Sequence, residues 1–296
     1  MRTPPLLADF SHARACKPFC ENSLTLPFLT MGLYRNLQKN IQFSQKLGTT
    51  YAQAAKEQSM DLFFKEMDDA GVSQCGIPGR KSKADCVDND DIAELVSLYP
   101  NRFLGFPAID PLDKDAKEEI LRYVIRGNCT GIIVEPGLNI VPMYADDTHI
   151  FPIYEMCEDN GIPVIITCGS TAGLDVSYSM PTHIEQVAVA FPNLTIIVTH
   201  GCWPWTSAIC HVAFRRANLY LSPDIYFINT PGSQDYTTAA LHICRDKLIY
   251  GTSYPAASMK EAVSYYTQQI GTHSQESLAH VMYENASRLF PELSKH

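Results

Sequence analysis

Four side chains able to move a proton or hold an anion each follow a short apolar run. Arg80 follows "VSQCGIPG", Glu135 follows "GIIV", His200 follows "LTIIVT" and Asp224 follows "LYLSP". Imidazole exchanges protons near neutral pH, which suits His200 to general acid or base work. Glu135 and Asp224 could orient that imidazole or carry protons. The planar fork of Arg80 matches a substrate carboxylate, and Arg14 offers a second fork. Cys168, Trp203, Ser253 and Tyr254 complete the candidate set as substrate contacts, with Trp203 in "CWPW" as an aromatic wall. Each residue also has a plainer reading. His200, before Gly201, could be a hydrogen-bonded core histidine. Glu135 could cap backbone donors before Pro136–Gly137, and Asp224 in "SPD" could form a turn or an N-cap. Arg80 could sit in a structural ion pair, and Cys168 could be a small buried filler. Nothing in the linear sequence brings these residues together, so the elements that carry them decide.

Short apolar segments alternate with amphipathic ones. Leu6–Phe10, Val72–Pro78, Phe103–Ile109, Gly131–Glu135, Pro163–Cys168, Leu194–His200, Leu219–Ser222 and Lys247–Thr252 read as strands. Several are nearly uniformly apolar, as parallel strands buried on both faces are. Helical spacing marks Ser59–Ala70, Asp90–Leu98, Lys114–Arg126, Ile150–Asn160, Pro181–Phe191, Thr206–Arg216, Tyr236–Arg245, Ser258–Ile270 and Gln275–Leu289. From the second strand on, strands recur about every thirty residues with a helix between each pair, which predicts a single α/β domain over residues 1–296, a (β/α)8 barrel. An open doubly wound sheet is disfavoured because no glycine-rich phosphate turn follows the first strand. Residues 11–58 read as a long insertion between the first strand and its helix, either a cover for the barrel mouth or a subunit contact. Its Phe19, Phe28, Tyr34 and Phe43 need burial against something. Barrel enzymes work at the C-terminal ends of their strands, where all the candidates above fall.

The chain has 296 residues, 46% hydrophobic and 19% charged, which excludes a disordered or fibrous protein. A net charge of −9 gives no electrostatic footprint for nucleic acid or anionic membranes. Apolar runs fall far short of the ~20 residues that span a bilayer, and the apolar stretch near the N-terminus is too short for a secretory signal. These features predict a cytoplasmic protein acting on a small molecule, with a homo-oligomer the expected assembly. The ten cysteines are dispersed. Cys16 and Cys20 form a close pair, but no further ligands follow at zinc-site spacing.

The runs "GIPVIITCGS", "LTIIVTHGCWPW" and "DKLIYGTSYP", in this order, resemble the last strands of the amidohydrolase superfamily. The similarity is to the amidohydrolase-related branch that includes aminocarboxymuconate-semialdehyde decarboxylase and hydroxybenzoate decarboxylases. It extends from "LLADF" to "ENASRLF". The resemblance implies a TIM barrel with a metal held by two histidines after an aspartate on the first strand, by histidines on the fifth and sixth, and by an aspartate on the eighth. Asp9 matches the first aspartate, but the histidine places hold Ser11 and Ala13, with His12 between them. The fifth-strand place is Thr167, the sixth is His200, and the eighth-strand aspartate falls on Ser253. Serine, threonine and alanine do not replace imidazole and carboxylate as ligands for zinc or a similar ion. The expectation is therefore no metal cofactor. The alternative is a shifted site of Glu135 and His200 with Cys168 or Asp224 as a third ligand. The resemblance implies hydrolysis of a small anionic compound as the first reading. Non-oxidative decarboxylation of a small aromatic carboxylate and a catalytically inactive binding barrel stand as alternatives. Under the first two, His200, Glu135, Asp224 and Arg80 share one pocket.

Overall fold

The computed structural model describes residues 37–82, 86–169 and 172–290. Its parallel strands are β1 (Cys75–Pro78), β2 (Phe103–Phe106), β3 (Ile132–Val134), β4 (Val164–Thr167), β5 (Ile196–Thr199) and β6 (Leu219–Ser222). β1 pairs with β2, and β3 to β6 pair in chain order. A parallel bridge from Ala108 to Ile133 joins the two sheets, and another from Leu221 to Leu248 continues the order. Parallel neighbours in sequence order, each followed by a helix, make the (β/α)8 barrel. Leu6–Phe10, the expected first strand, lies outside the described residues. The expected strand Lys247–Thr252 reduces to the Leu248 bridge, beside which the Ile249 amide donates to the Leu221 carbonyl at 2.8 Å.

The strands are uniformly apolar because both faces are covered. Ile133, Ile165, Ile197 and Tyr220 follow one another across the register. They cluster with Leu104, Phe106, Ile249 and Phe290 inside the barrel. Their neighbours Val134, Val164, Ile166, Val198 and Leu221 pack outward against helical residues such as Tyr154, Val187 and Ile209. Along the inner phase the next residues are Glu135, Thr167, Thr199 and Ser222. The same alternation that builds the core therefore ends in a polar layer at the C-terminal ends.

The helices follow the predicted spacing with trimmed ends. Ser59 caps Met60–Ala70 by accepting from the Leu62 amide, and Gly71 ends the helix in the left-handed region. The helix predicted at Tyr236–Arg245 instead spans Ser233–Leu241. The insertion is not one long loop, because its described part contains helices Leu37–Leu47 and Gln53–Glu57. Leu37 and Ile41, one turn apart, pack against the core. Phe43 falls off that face and is 36% exposed, contrary to the expected burial. This segment docks on the loop after the last strand. Thr49 Oγ1 donates to the Ala256 carbonyl, and the Ala52 amide donates to that of Pro255.

The C-terminal helices run on from Gln275 to Leu289 through a widened middle turn. Asn285 pins them to the barrel. Its buried Nδ2 donates to the carbonyls of Arg245 at 2.8 Å and Leu248 at 2.7 Å. Asn285→Ala should leave both carbonyls short of a donor. The expected cost is about 1–3 kcal/mol of unfolding free energy, read by urea denaturation. An unchanged midpoint would show that water replaces the amide without loss.

Candidate functional site

β5 and β6 end in backbone that places an imidazole against a carboxylate. Asp224 Oδ2 accepts from the His200 amide at 2.9 Å and lies 2.8 Å from His200 Nδ1. Oδ1 accepts from the Ile225 amide at 2.6 Å. An ionised carboxylate only accepts, so Nδ1 carries the proton and Nε2 is left as the exchangeable nitrogen. The imidazole meets the Tyr226 ring edge to face at 5.4 Å, and Trp203 stacks on Tyr226 at 5.2 Å. Trp203 is fixed in turn by a bond from Nε1 to the Pro231 carbonyl.

This turn needs unusual backbone. His200, Gly201 and Cys202 have φ of 62°, 53° and 55°, and Asp224 has 45°. Non-glycine residues in this region cost roughly 1–2 kcal/mol each, so the surroundings must hold them. The Cys202 amide donates to the Cys168 carbonyl at 2.8 Å, and Tyr236 Oη donates to the Gly201 carbonyl at 2.7 Å. A Cβ at Gly201 would lie 2.7 Å from that hydroxyl oxygen, so the position requires glycine.

A second charge pair begins at β1. Just beyond it, Arg80–Lys81 pairs antiparallel with Cys86–Val87. Arg80 turns its fork to Glu135, with Nη2 at 2.9 Å from Oε1 and Nε at 3.2 Å from both oxygens. Glu135 is 3% exposed, while the Arg80 side chain keeps 31% of its surface. Thr167 Oγ1 donates to Glu135 Oε1, and Thr199 Oγ1 donates to Thr167 Oγ1, at 3.4 and 3.5 Å. The inner hydroxyl layer thus runs from the Arg80–Glu135 pair to the residue preceding His200.

The structure forms two pairs, Arg80 with Glu135 and His200 with Asp224, at the strand ends, and a hydroxyl chain through Thr167 runs from the first pair to Thr199, the residue before His200. Trp203 joins the second pair through Tyr226. Ser253 has a φ of 46°, and its buried hydroxyl finds no hydrogen-bond partner among the described residues. Cys168 lies behind the rim. It lies in phase with Ile166 and faces the helices, 2% exposed, with Sγ 3.3 Å from that of Cys202. Tyr254 is tied to the helix Met60–Ala70. Its hydroxyl donates to Glu66 Oε2 at 2.8 Å, and its ring meets Phe63 edge-on. Arg14 lies outside the described residues, as do Asp9, Ser11, His12, Ala13, Cys16 and Cys20. Sequence reasoning passed over Thr199, Ser222 and Tyr226. Counting two residues on from Ile197 and Tyr220 would have found the first two. Tyr226 had no periodic signal.

These donors do not suit a divalent metal. Among the described residues, no three His, Cys, Asp or Glu side chains gather as a metal site would need. Both Glu135 oxygens accept from Arg80, and Asp224 is spent on His200 and backbone amides. A shifted site of Glu135 and His200 is thus not assembled, since each already has a different partner.

Asp224→Asn should leave the barrel folded but free the imidazole. The expected loss is about 1–3 kcal/mol in stability. A downfield Nδ1 proton, visible by NMR in the wild type, should disappear or move upfield. An unmoved resonance would mean that the carboxylate does not fix the tautomer.

Three comparisons bear on this architecture. The amidohydrolase family model (Amidohydro_2) matches residues 50–291. An uncharacterised TIM-barrel protein from Bordetella bronchiseptica is 36% identical, over 89% of this chain and 93% of that one, with a TM-score of 0.82. Dihydroxybenzoic acid decarboxylase from Polaromonas sp., with bound manganese and the inhibitor 2-nitroresorcinol, shares the fold at a TM-score of 0.60. It is 19% identical, over 80% of this chain and 87% of that one. The 2-amino-3-carboxymuconate-6-semialdehyde decarboxylase of Dictyostelium discoideum is 34% identical over 128 residues. That stretch is 43% of this chain and 31% of the relative, so the chain spans under a third of the curated relative it matches. With the family model covering the barrel from the insertion's end to the last helix, this chain belongs to the amidohydrolase family.

Proposed function

We propose that this chain is a non-oxidative decarboxylase of a small aromatic carboxylate. The observation that carries the reading is the His200–Asp224 pair beside the Trp203–Tyr226 stack. Losing CO2 from an aromatic ring requires a proton at the carbon that bears the carboxylate. His200, protonated, gives that proton from Nε2. The bond to the carboxylate carbon then breaks, its electron pair returns to the ring, and CO2 leaves. A proton taken up from solvent restores the imidazolium, so each turnover consumes one solvent proton. Asp224 steadies the positive ring, as a buried carboxylate does for a general acid. Arg80 meets the substrate carboxylate, Glu135 holds Arg80, and the Ser253 hydroxyl and Trp203 contact the ring. Arg14 is kept from the sequence alone as a second anion contact.

Hydrolysis, the first expectation from sequence, gives way here. The curated relative and the Polaromonas neighbour are decarboxylases, which supports the alternative. Among the described residues no helix is long and apolar enough to cross a membrane. A small-molecule substrate remains the expected partner.

The test is turnover of a panel of hydroxybenzoates in D2O. Decarboxylation should release CO2 and leave one solvent deuteron on the ring carbon. His200→Ala should lower kcat by about 10²–10⁴-fold while the far-UV spectrum is unchanged. Full activity in His200→Ala would remove it from the mechanism. Cleavage of esters or lactones without CO2 release would restore the hydrolase reading.

A further inference from the structure

The family membership and the donor set pull in different directions at Glu135. A decarboxylase of the same fold was solved with bound manganese. Here the buried carboxylate is already met by a cation carried on the chain. An ionised carboxylate at 3% exposure needs such a partner, because burying the charge alone is costly. A divalent ion on Glu135 would sit about 2 Å from an oxygen. Arg80 Nη2 is 2.9 Å from Oε1, and Nε is 3.2 Å from each oxygen. Two cations sharing one carboxylate at these distances would repel in a site largely shielded from water. A metal would have to evict the guanidinium. Among the described residues, the places at Thr167 and Ser253 offer only neutral hydroxyls to such an ion.

We propose that Arg80 is the fixed cation of this rim: it keeps Glu135 from binding a divalent metal, and its guanidinium binds the carboxylate of the substrate. The second half rests on the decarboxylase reading, whereas the first does not. Glu135 is then a positioning residue that aims the fork of Arg80. The Arg80 side chain keeps 31% of its surface exposed, so a ligand can reach it. The charge is permanent, since guanidinium does not deprotonate in proteins, so carboxylate binding should not fade as pH rises through neutrality.

Two measurements decide the two halves separately. In the first, wild-type protein is incubated with Mn²⁺ or Zn²⁺, desalted and assayed for metal, and its melting is compared in EDTA. The expected result is no stoichiometric metal and the same melting temperature throughout. One retained ion per chain with a higher melting temperature would overturn the first half. In the second, binding of 2,6-dihydroxybenzoate and of resorcinol, which lacks the carboxylate, is followed by tryptophan fluorescence. Arg80→Met should weaken dihydroxybenzoate tenfold or more and leave resorcinol nearly unchanged, and added guanidinium ion should restore part of the loss. Equal weakening of both ligands would make Arg80 merely structural and overturn the second half. Should Arg80→Met fail to fold, Arg80→Lys answers the same question. It keeps the charge without the fork, so it should weaken dihydroxybenzoate selectively, and unchanged binding would count against the proposal. If the wild type binds neither ligand, the substrate reading and the second half both fall, and the metal assay still decides the first.

Discussion

The carboxylate of Asp224 holds the catalytic end of this barrel together. One oxygen takes both the backbone amide and the ring Nδ1 of His200, and the other takes the amide of Ile225. A single side chain at the end of β6 thereby fixes the conformation, tautomer and direction of a residue at the end of β5. The left-handed backbone at both positions is sustained by these bonds and by the Gly201 and Cys202 contacts behind them. The barrel makes this possible because parallel pairing in register brings Thr199 opposite Ser222, just short of both residues.

The second pair follows the same logic, again with a buried carboxylate and a more exposed nitrogen partner. Glu135 extends the inner phase of β3 beyond Ile133 and would be an unpaired buried charge without Arg80. Arg80 comes from a ribbon far along the chain, and Thr167 fills the gap between Glu135 and Thr199. Along this rim a hydroxyl stands where the resemblance leads one to expect a histidine. The local chemistry is therefore that of ion pairs and hydroxyls, which directs charge through fixed partners.

Much of this was legible in the sequence because it follows from periodicity. Nearly uniformly apolar runs such as Pro163–Cys168 and Leu194–His200 suit strands covered on both sides. The helix at Ser59–Ala70 announced itself through its apolar spacing. The strand-end rule then placed Glu135, His200 and Asp224 on one rim. Partners were less legible. No spacing rule pairs Arg80 with Glu135 or turns Tyr254 toward Glu66, since those contacts depend on three-dimensional closure. One step of counting places Cys168 in the outward phase of Ile166, among the helices. The helix Leu37–Leu47 was missed because its apolar face is reduced to residues such as Leu37 and Ile41, set among polar ones.

The central claim is that an aromatic carboxylate lies between these two pairs, with its charge toward Arg80 and its reacting carbon toward His200. A crystal structure with a nitro analogue of a hydroxybenzoate tests this most directly. The account predicts the nitro group within hydrogen-bond distance of Arg80, the ring carbon that bears it facing His200 Nε2, and Glu135 still held by the guanidinium. An analogue bound elsewhere, or a metal ion on Glu135 with Arg80 displaced, would contradict it.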